Sequence, residues 1–163
     1  MPISRSDPEP ETRAGREDDT GVPVRGPGSY DLDAQIGYLL RRAYQRNSLI
    51  FAEQVPGPLT PTQFSVMHRL AREGAMSQNR LGRSVAMDGA TTKGVVDRLI
   101  ARGLVKTERD AQDRRRHLVS LTADGSALIA SAEAAAARVS AETLAPLRER
   151  ERETLLRLLK KIL

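Results

Sequence analysis

Cysteine is absent from the 163-residue chain, which excludes disulfide frameworks, thiolate metal sites, cysteine nucleophiles and thiol-based redox sensing. Long apolar runs are missing as well: no window approaches the roughly 18 consecutive apolar residues of a membrane-spanning helix. The N-terminal MPISRSDPEPETRAGREDD lacks the apolar stretch of a secretory signal. A soluble, cytoplasmic protein with no membrane partner is the expectation. There is no Gly-rich phosphate loop, no Gly-x-Ser-x-Gly elbow and no metal-ligand spacing, and the two histidines, His68 and His117, fall in different elements. An enzyme is therefore disfavoured, and neither cofactor nor metal is expected.

What is abundant is positive charge. The chain has 26 Lys+Arg against 21 Asp+Glu, a formal net charge of +5. Residues 1–29 hold six acids and four bases, leaving 22 bases and 15 acids, or +7, on the remainder. A polyanionic partner is favoured by this balance without being identified by it. The same 29 residues are rich in Pro, Gly, Asp, Glu and Arg, and besides Met1 only Ile3, Val22 and Val24 are aliphatic side chains larger than alanine. So little apolar surface cannot offset the entropy of ordering the chain, and the segment reads as a disordered tail.

From Asp31 to about Glu53, Leu32, Ile36, Leu39, Leu40, Ala43, Ile50 and Phe51 recur at helical spacing behind a candidate Asp31 cap, predicting one long amphipathic helix. Pro56, Gly57 and Pro58 break it. Thr60 and Pro61 open a second helix carrying Phe64, Met67, Leu70 and Ala71, which Gly74 ends. Two short helices follow, from Ser77 to Ala86 and from Ala90 to Gly103, joined by Met87-Asp88-Gly89. Ser77 and Asp88 are placed as caps, and Leu81, Val85, Val96, Leu99 and Ile100 can share one apolar seam, a helix-turn-helix by geometry. Beyond Gly103 the period changes. Leu104–Arg109 and His117–Thr122 are extended-type runs around the polar Asp110-Ala-Gln-Asp-Arg-Arg-Arg, predicting a β-hairpin with a basic tip. From Ala123 onward two Ala- and Leu-rich helices are expected, divided near Val139–Ser140, with a stripe of Leu144, Leu147, Leu155, Leu156, Leu159, Ile162 and Leu163. No internal repeat is present.

The fold expected is mainly α with a small β-hairpin wing: a winged helix-turn-helix over residues 60–122, with N- and C-terminal dimerisation helices at 30–55 and 123–163. Such a pair of surfaces matches duplex DNA, the second helix entering the major groove and the hairpin lying along the backbone or the adjacent minor groove. Candidate DNA contacts are Ser77, Gln78 and Asn79 on the first helix, Thr91, Thr92, Lys93 and Arg98 on the reading helix, and Arg114, Arg115 and Arg116 at the tip. Basic tips are commonly just solvated faces, and the preceding helix pair is what tilts this one towards nucleic acid. Asp88 reads as a cap rather than a base reader.

Val95-Val-Asp-Arg-Leu-Ile-Ala-Arg-Gly-Leu-Val105 resembles the end of the reading helix and the entry to the wing in the MarR (multiple-antibiotic-resistance regulator) family. Asp113-Arg-Arg-Arg-His-Leu-Val-Ser-Leu-Thr122 fits that family's wing pattern, Asp-x-Arg, five residues, then Leu-Thr. The resemblance implies that Arg115 contacts the minor groove or its phosphates with help from Arg114 and Arg116, and that Asp113 pairs with a nearby base to shape the tip. Where many members carry an arginine in the reading helix this chain has Gly94, next to Lys93, which is expected to take over the contact.

The apolar stripes of the terminal helices exceed what a small winged core can cover and predict a homodimer, hence a pseudo-palindromic duplex operator. The resemblance further implies a small-molecule effector where the terminal helices meet the winged domain. Tyr38, Arg42, Tyr44, Gln45 and Arg46, facing Phe64, Met67 and His68, form the candidate wall, with Arg46 or His68 as the cation for a carboxylate. Phe64 and Met67 are core residues in any case, and His68 reads more readily as a satisfied structural histidine. The Arg41-Arg-Ala-Tyr-Gln-Arg46 run is similar to regulators of aromatic-acid catabolism in the family, implying a repressor answering to a small aromatic carboxylate or an aromatic acyl-CoA. The alternative is a winged-helix protein-interaction or RNA-binding module without an effector.

Overall fold

The computed structural model describes residues 30–111, 113, 115 and 117–163. The expected tail over residues 1–29, and Arg114 and Arg116, lie outside the described residues. The described residues fall into two units, divided between Leu40 and Arg41.

In the first unit Asp31 does cap, but not an α-helix. Its side chain accepts the N–H of Asp33 at 3.0 Å, two residues on, and this closes a 3-10 turn over Leu32–Ala34. Gln35 then turns extended, with ψ at 126°. The single helix expected from Asp31 is therefore split, and α1 (Ile36–Gln54) starts five residues later.

The second unit takes up the rest of α1 and all later elements. Thr60 and Gln63 cap α2 (Pro61–Glu73) reciprocally: Thr60 Oγ1 accepts the Gln63 N–H at 3.2 Å, and Gln63 Oε1 accepts the Thr60 N–H at 3.0 Å. Then come β1 (Met76–Ser77), α3 (Gln78–Ser84), α4 (Gly89–Ala101), β2 (Val105–Arg109) and β3 (His117–Leu121), followed by α5 (Ala123–Thr143) and α6 (Glu149–Leu159). The sheet has three antiparallel strands in the order β1-β3-β2, with Met76 opposite Val119 and Val105 opposite Leu121. Strand β1 was not anticipated because two residues carry no readable period.

Val66 and Met67 of α2, Leu81 of α3, Val96 and Leu99 of α4 and Val119 of β3 are almost completely enclosed. Helix α5 covers them with Ile129, Ala132, Ala135 and Val139, all buried, and the alanines allow α2 to pack close. Val139 thus lies mid-helix in the core. The break between the last two helices comes later than expected, at Leu144–Arg148, where Pro146 cannot continue a helical ladder. Arg152 of α6 binds the exposed carbonyls of that link, donating to Leu147 O at 2.8 Å and Ala145 O at 3.3 Å. Asn47 donates to Thr143 Oγ1 at 3.0 Å, and Gln54 bonds Glu142, tying the C-terminal half of α1 to the end of α5.

A Schellman motif ends α4. Gly103, at φ 70°, sits in the left-handed region, Leu104 N–H reaches Leu99 O at 3.0 Å, and the buried Leu104 leads into the wing. Thr122 then caps α5 and fastens it to that turn, its hydroxyl donating to Gly103 O at 2.7 Å and accepting the Gly125 N–H at 3.0 Å.

Candidate nucleic-acid interface

Two helices can present a common outer surface only if the turn between them is tight. Here the N–H of Met87 donates to Gly82 O at 2.9 Å, and Ala86 adopts φ 54° to make the corner. Glycine at 82 is demanded by the packing: a Cβ there would lie 2.6 Å from Thr92 Oγ1 and 3.0 Å from Met87 O. The Thr92 hydroxyl donates to Asp88 O at 2.7 Å, and the residue is 0% exposed. Thr92 is thus a packing residue between α3 and α4, which corrects its assignment as a DNA contact: no atom of it can reach a base.

Asp88 starts α4. One carboxylate oxygen accepts the Thr91 N–H at 2.7 Å and the other the Thr91 hydroxyl at 2.9 Å; these bonds stabilise the charged form and hold the carboxyl below its ordinary range. Thr91 is exposed but already occupied with its cap. Helix α4 buries Thr92, Val95, Val96 and Leu99. At about 100° per residue the opposite face is centred on Ala90, Gly94, Asp97 and Ala101. Lys93 flanks it on one side, while Thr91 and Arg98 flank it on the other. Lys93 is bound within the helix, its ammonium 2.5 Å from Asp97 Oδ2. Among the described residues the Arg98 side chain makes no hydrogen bond or ion pair.

On α3, Ser77 is spent as a cap, accepting the Arg80 N–H at 3.4 Å. Gln78 and Asn79 line a hollow of about 200 Å³ with Gly82, Arg83, Met87, Gly89 and Thr92, at the start of α4. Arg83, which the sequence did not single out, shares that hollow; its place four residues after Asn79, on the same helical face, is the signal that could have found it. Arg69 and Arg80 both bind Glu73, at 2.9 and 3.2 Å, and Arg69 also donates to Ser84 O at 3.0 Å, so α2 holds both ends of α3.

The wing ladder ends at the Arg109–His117 pair, leaving residues 110–116 as its tip. Asp113 Oδ1 accepts the backbone N–H of Arg115 at 3.0 Å, an Asx turn. Asp113 therefore shapes the tip through the backbone; its expected pairing with a nearby base involves the tip residues Arg114 and Arg116, which lie outside the described residues. Arg115 is exposed at the apex.

Tyr38 of the expected effector wall belongs to the first unit; within the second unit the remaining wall residues do not share one surface. Met67 is 0% exposed and belongs wholly to the core, which corrects its place in the wall. Phe64 packs edge-on against Phe51 and stacks on His68, at centroid distances of 5.6 and 5.7 Å, and His68 lies 3.6 Å from Glu133 of α5. A groove of about 440 Å³ runs instead between α1, α2 and α4, lined by Tyr44, Ser48, Thr60–Gln63, Thr91, Val95 and Arg98. A second, of about 270 Å³, also opens beside Tyr44, against Pro61, Thr62, Ser65 and Val85–Met87. On α1 the face through Tyr44 and Ser48 does not include Arg42 or Arg46, which are exposed elsewhere on the helix, as is Gln45. The cation lining the larger groove is Arg98.

Residues 59–117, from the start of α2 to the wing, match the MarR family. The chain is 41% identical over 135 residues to the HTH-type transcriptional repressor NicR of Pseudomonas putida, covering 82% of this chain and 85% of NicR. Among solved structures, a probable transcriptional regulator from Pseudomonas aeruginosa superposes with a TM-score of 0.77 at 47% identity, over 82% of this chain and 100% of the other. Bordetella bronchiseptica BpsR, described for the regulation of its DNA binding by 6-hydroxynicotinic acid, superposes with a TM-score of 0.76 at 40% identity, over 83% and 97%. With 41% identity over 82% of its length and the family match over residues 59–117, the chain belongs to the MarR family of transcriptional regulators.

Proposed function

We propose that the protein is a repressor that binds a pseudo-palindromic DNA operator as a homodimer and is released by a small aromatic acid or its CoA thioester. The observation that carries the DNA reading is the pairing of two unlike exposed surfaces on one compact unit: the outer face of α4, and the wing tip with Arg115 at its apex. A helix of this size fits the major groove, and a basic tip suits the phosphates or the minor groove beside it. Exposed leucines support the dimer. On α6 Leu155, Leu156 and Leu158 are 37–47% exposed, and Ile162 beyond the helix 65%; apolar side chains so placed are the usual material of an obligate interface. Two-fold symmetry then sets half-sites about 34 Å apart.

Repression and an aromatic-acid effector are supported by likeness to NicR and BpsR, and by the groove beside α4. It offers an aromatic wall at Tyr44 and a cation at Arg98, the two features a small aromatic carboxylate needs. Selecting duplexes from a randomised library with the purified protein tests the DNA reading: enrichment of an inverted repeat, bound with a steep loss of affinity as salt rises, is the expected result. Recovery of no preferred sequence would reject it. A panel of aromatic carboxylates, 6-hydroxynicotinic acid included, and aromatic acyl-CoA esters then tests the effector: at least one should release the selected duplex and raise the melting temperature, and a panel silent in both assays rejects the effector class.

A further inference from the structure

The centre of the outer face of α4 holds small or acidic side chains: Ala90, Gly94, Asp97 and Ala101. A base edge facing this strip would meet no cation standing on it. Arg98 originates about 40° to one side of Gly94 around the helix, at about 100° per residue, yet its guanidinium leans back over that glycine. A Cβ built on Gly94 would lie 3.5 Å from Arg98 Nη1 and 4.0 Å from Nη2. Glycine thus leaves the surface that the guanidinium covers, one turn nearer the N-terminus of α4 than Arg98 itself. Lys93, on the other flank, has its ammonium at Asp97. Of the two cations beside the strip, only Arg98 has its donors uncommitted among the described residues.

We infer that Arg98, laid across Gly94, is the specificity-determining residue of the reading helix, its guanidinium presented to the edge of a guanine or a comparable pair of acceptors in the major groove. Five donors in a planar fork can engage two acceptors at once, which an ammonium cannot do. The inference rests on the reading of α4 as the major-groove helix, and it reverses the expectation that Lys93 replaces the arginine absent at position 94. Lys93 is left as a source of general attraction to phosphates.

The test uses full-length protein and two probes: the duplex selected by the wild-type protein, with every base pair of one half-site substituted in turn, and a scrambled duplex. Arg98→Ala should abolish the preference at one base pair per half-site and weaken binding to the selected duplex by about 5- to 150-fold, with a far smaller effect on the scrambled one. Arg98→Lys should reproduce the lost preference while retaining the charge, and Gly94→Leu should do the same by occupying the guanidinium's resting place. Lys93→Ala should weaken both probes alike. Equal weakening of both probes by Arg98→Ala, an unchanged preference profile in Arg98→Lys, or loss of preference in Lys93→Ala instead would each overturn the assignment while leaving α4 a reading helix. A wild-type profile flat at every base pair would sink that reading itself, and this inference with it.

Discussion

Replacing Gly125 by alanine should destabilise the protein, although it removes a glycine from a helix. The gain is simple: alanine is favoured over glycine inside a helix by about 1 kcal/mol. The cost comes from Leu104. A Cβ on Gly125 would stand 1.9 Å from the Leu104 carbonyl oxygen and 3.0 Å from its carbonyl carbon, both backbone atoms that no rotamer change can move aside. The start of α5 and the entry to the wing would have to part by more than an ångström. Two bonds cross that joint, Thr122 Oγ1 to Gly103 O at 2.7 Å and Thr122 N–H to Leu104 O at 3.1 Å. Losing them costs about 1 kcal/mol each, and overpacking at a closed site adds about 1–3 kcal/mol. The net destabilisation is about 2–4 kcal/mol, a fall in melting temperature of about 8–16 °C for a folded region of this size. Thermal unfolding followed by circular dichroism, at one fixed protomer concentration because the proposed dimer would contribute to stability, measures it. Gly37→Ala is the control, since nothing lies within 4 Å of its would-be Cβ; it should be neutral or mildly stabilising. A Gly125→Ala protein melting at or above the wild type would refute the close-approach argument.

Three further outcomes are expected. Arg115→Ala should weaken binding to selected and scrambled duplexes alike and, if each wing neutralises one phosphate through it, reduce the slope of log K against log salt by about 0.9 per protomer; an unchanged slope would remove Arg115 from the backbone contacts. Asp88 has its carboxyl lowered below 3.8 by the Thr91 bonds, so its contribution to stability is fully present above that pH and is lost as pH falls through the depressed folded value. Asp88→Asn should therefore flatten part of the acid limb of the stability profile without altering it at neutral pH through titration, and identical acid limbs in the two proteins would contradict this. Leu156→Glu, placing a charge on the exposed apolar face of α6, should shift the sedimentation profile towards monomer at micromolar concentration and cost operator affinity; a variant that remains fully dimeric would move the interface elsewhere.

The helix-turn-helix and the wing were legible because each rests on local chemistry. Ser77, Thr60 and Asp88 cap where their side chains and spacing place them, Gly74 and Gly103 end their helices at positive φ, and the change from helical to alternating period after Gly103 marks the wing. What escaped depends on contacts distant in sequence or on bonds of the wrong length for the pattern. Strand β1 exists because Met76 and Ser77 find β3 more than forty residues on. Asp31 looks like an α-helix cap, yet its bond to the N–H two residues ahead selects a 3-10 turn. A helix boundary near Ser140 looked plausible from composition, but the buried Val139 carries α5 past it to the neighbourhood of Pro146. Among the candidate site residues the same division holds. Thr91 and Thr92 are neighbours of one type, and only the close contact of Gly82 with Thr92 tells which of them is enclosed.

The distribution of cations over α4 and the wing carries a consequence for regulation. Arg115 stands at the wing apex, away from the larger groove, whereas Arg98 lines that groove together with Tyr44 and Thr91 while its guanidinium lies over Gly94. A carboxylate bound in the groove and a base edge in the major groove would therefore compete for one guanidinium. Release of the operator would then act first on base discrimination and leave the attraction of the wing for phosphates largely intact. An effector working only by changing the distance between the two reading helices of a dimer would instead weaken all duplex contacts together. The two routes separate in the measured ratio of affinities for selected and scrambled duplexes as effector is added: competition at Arg98 collapses the ratio, while a change of spacing lowers both affinities together and leaves the ratio largely unchanged.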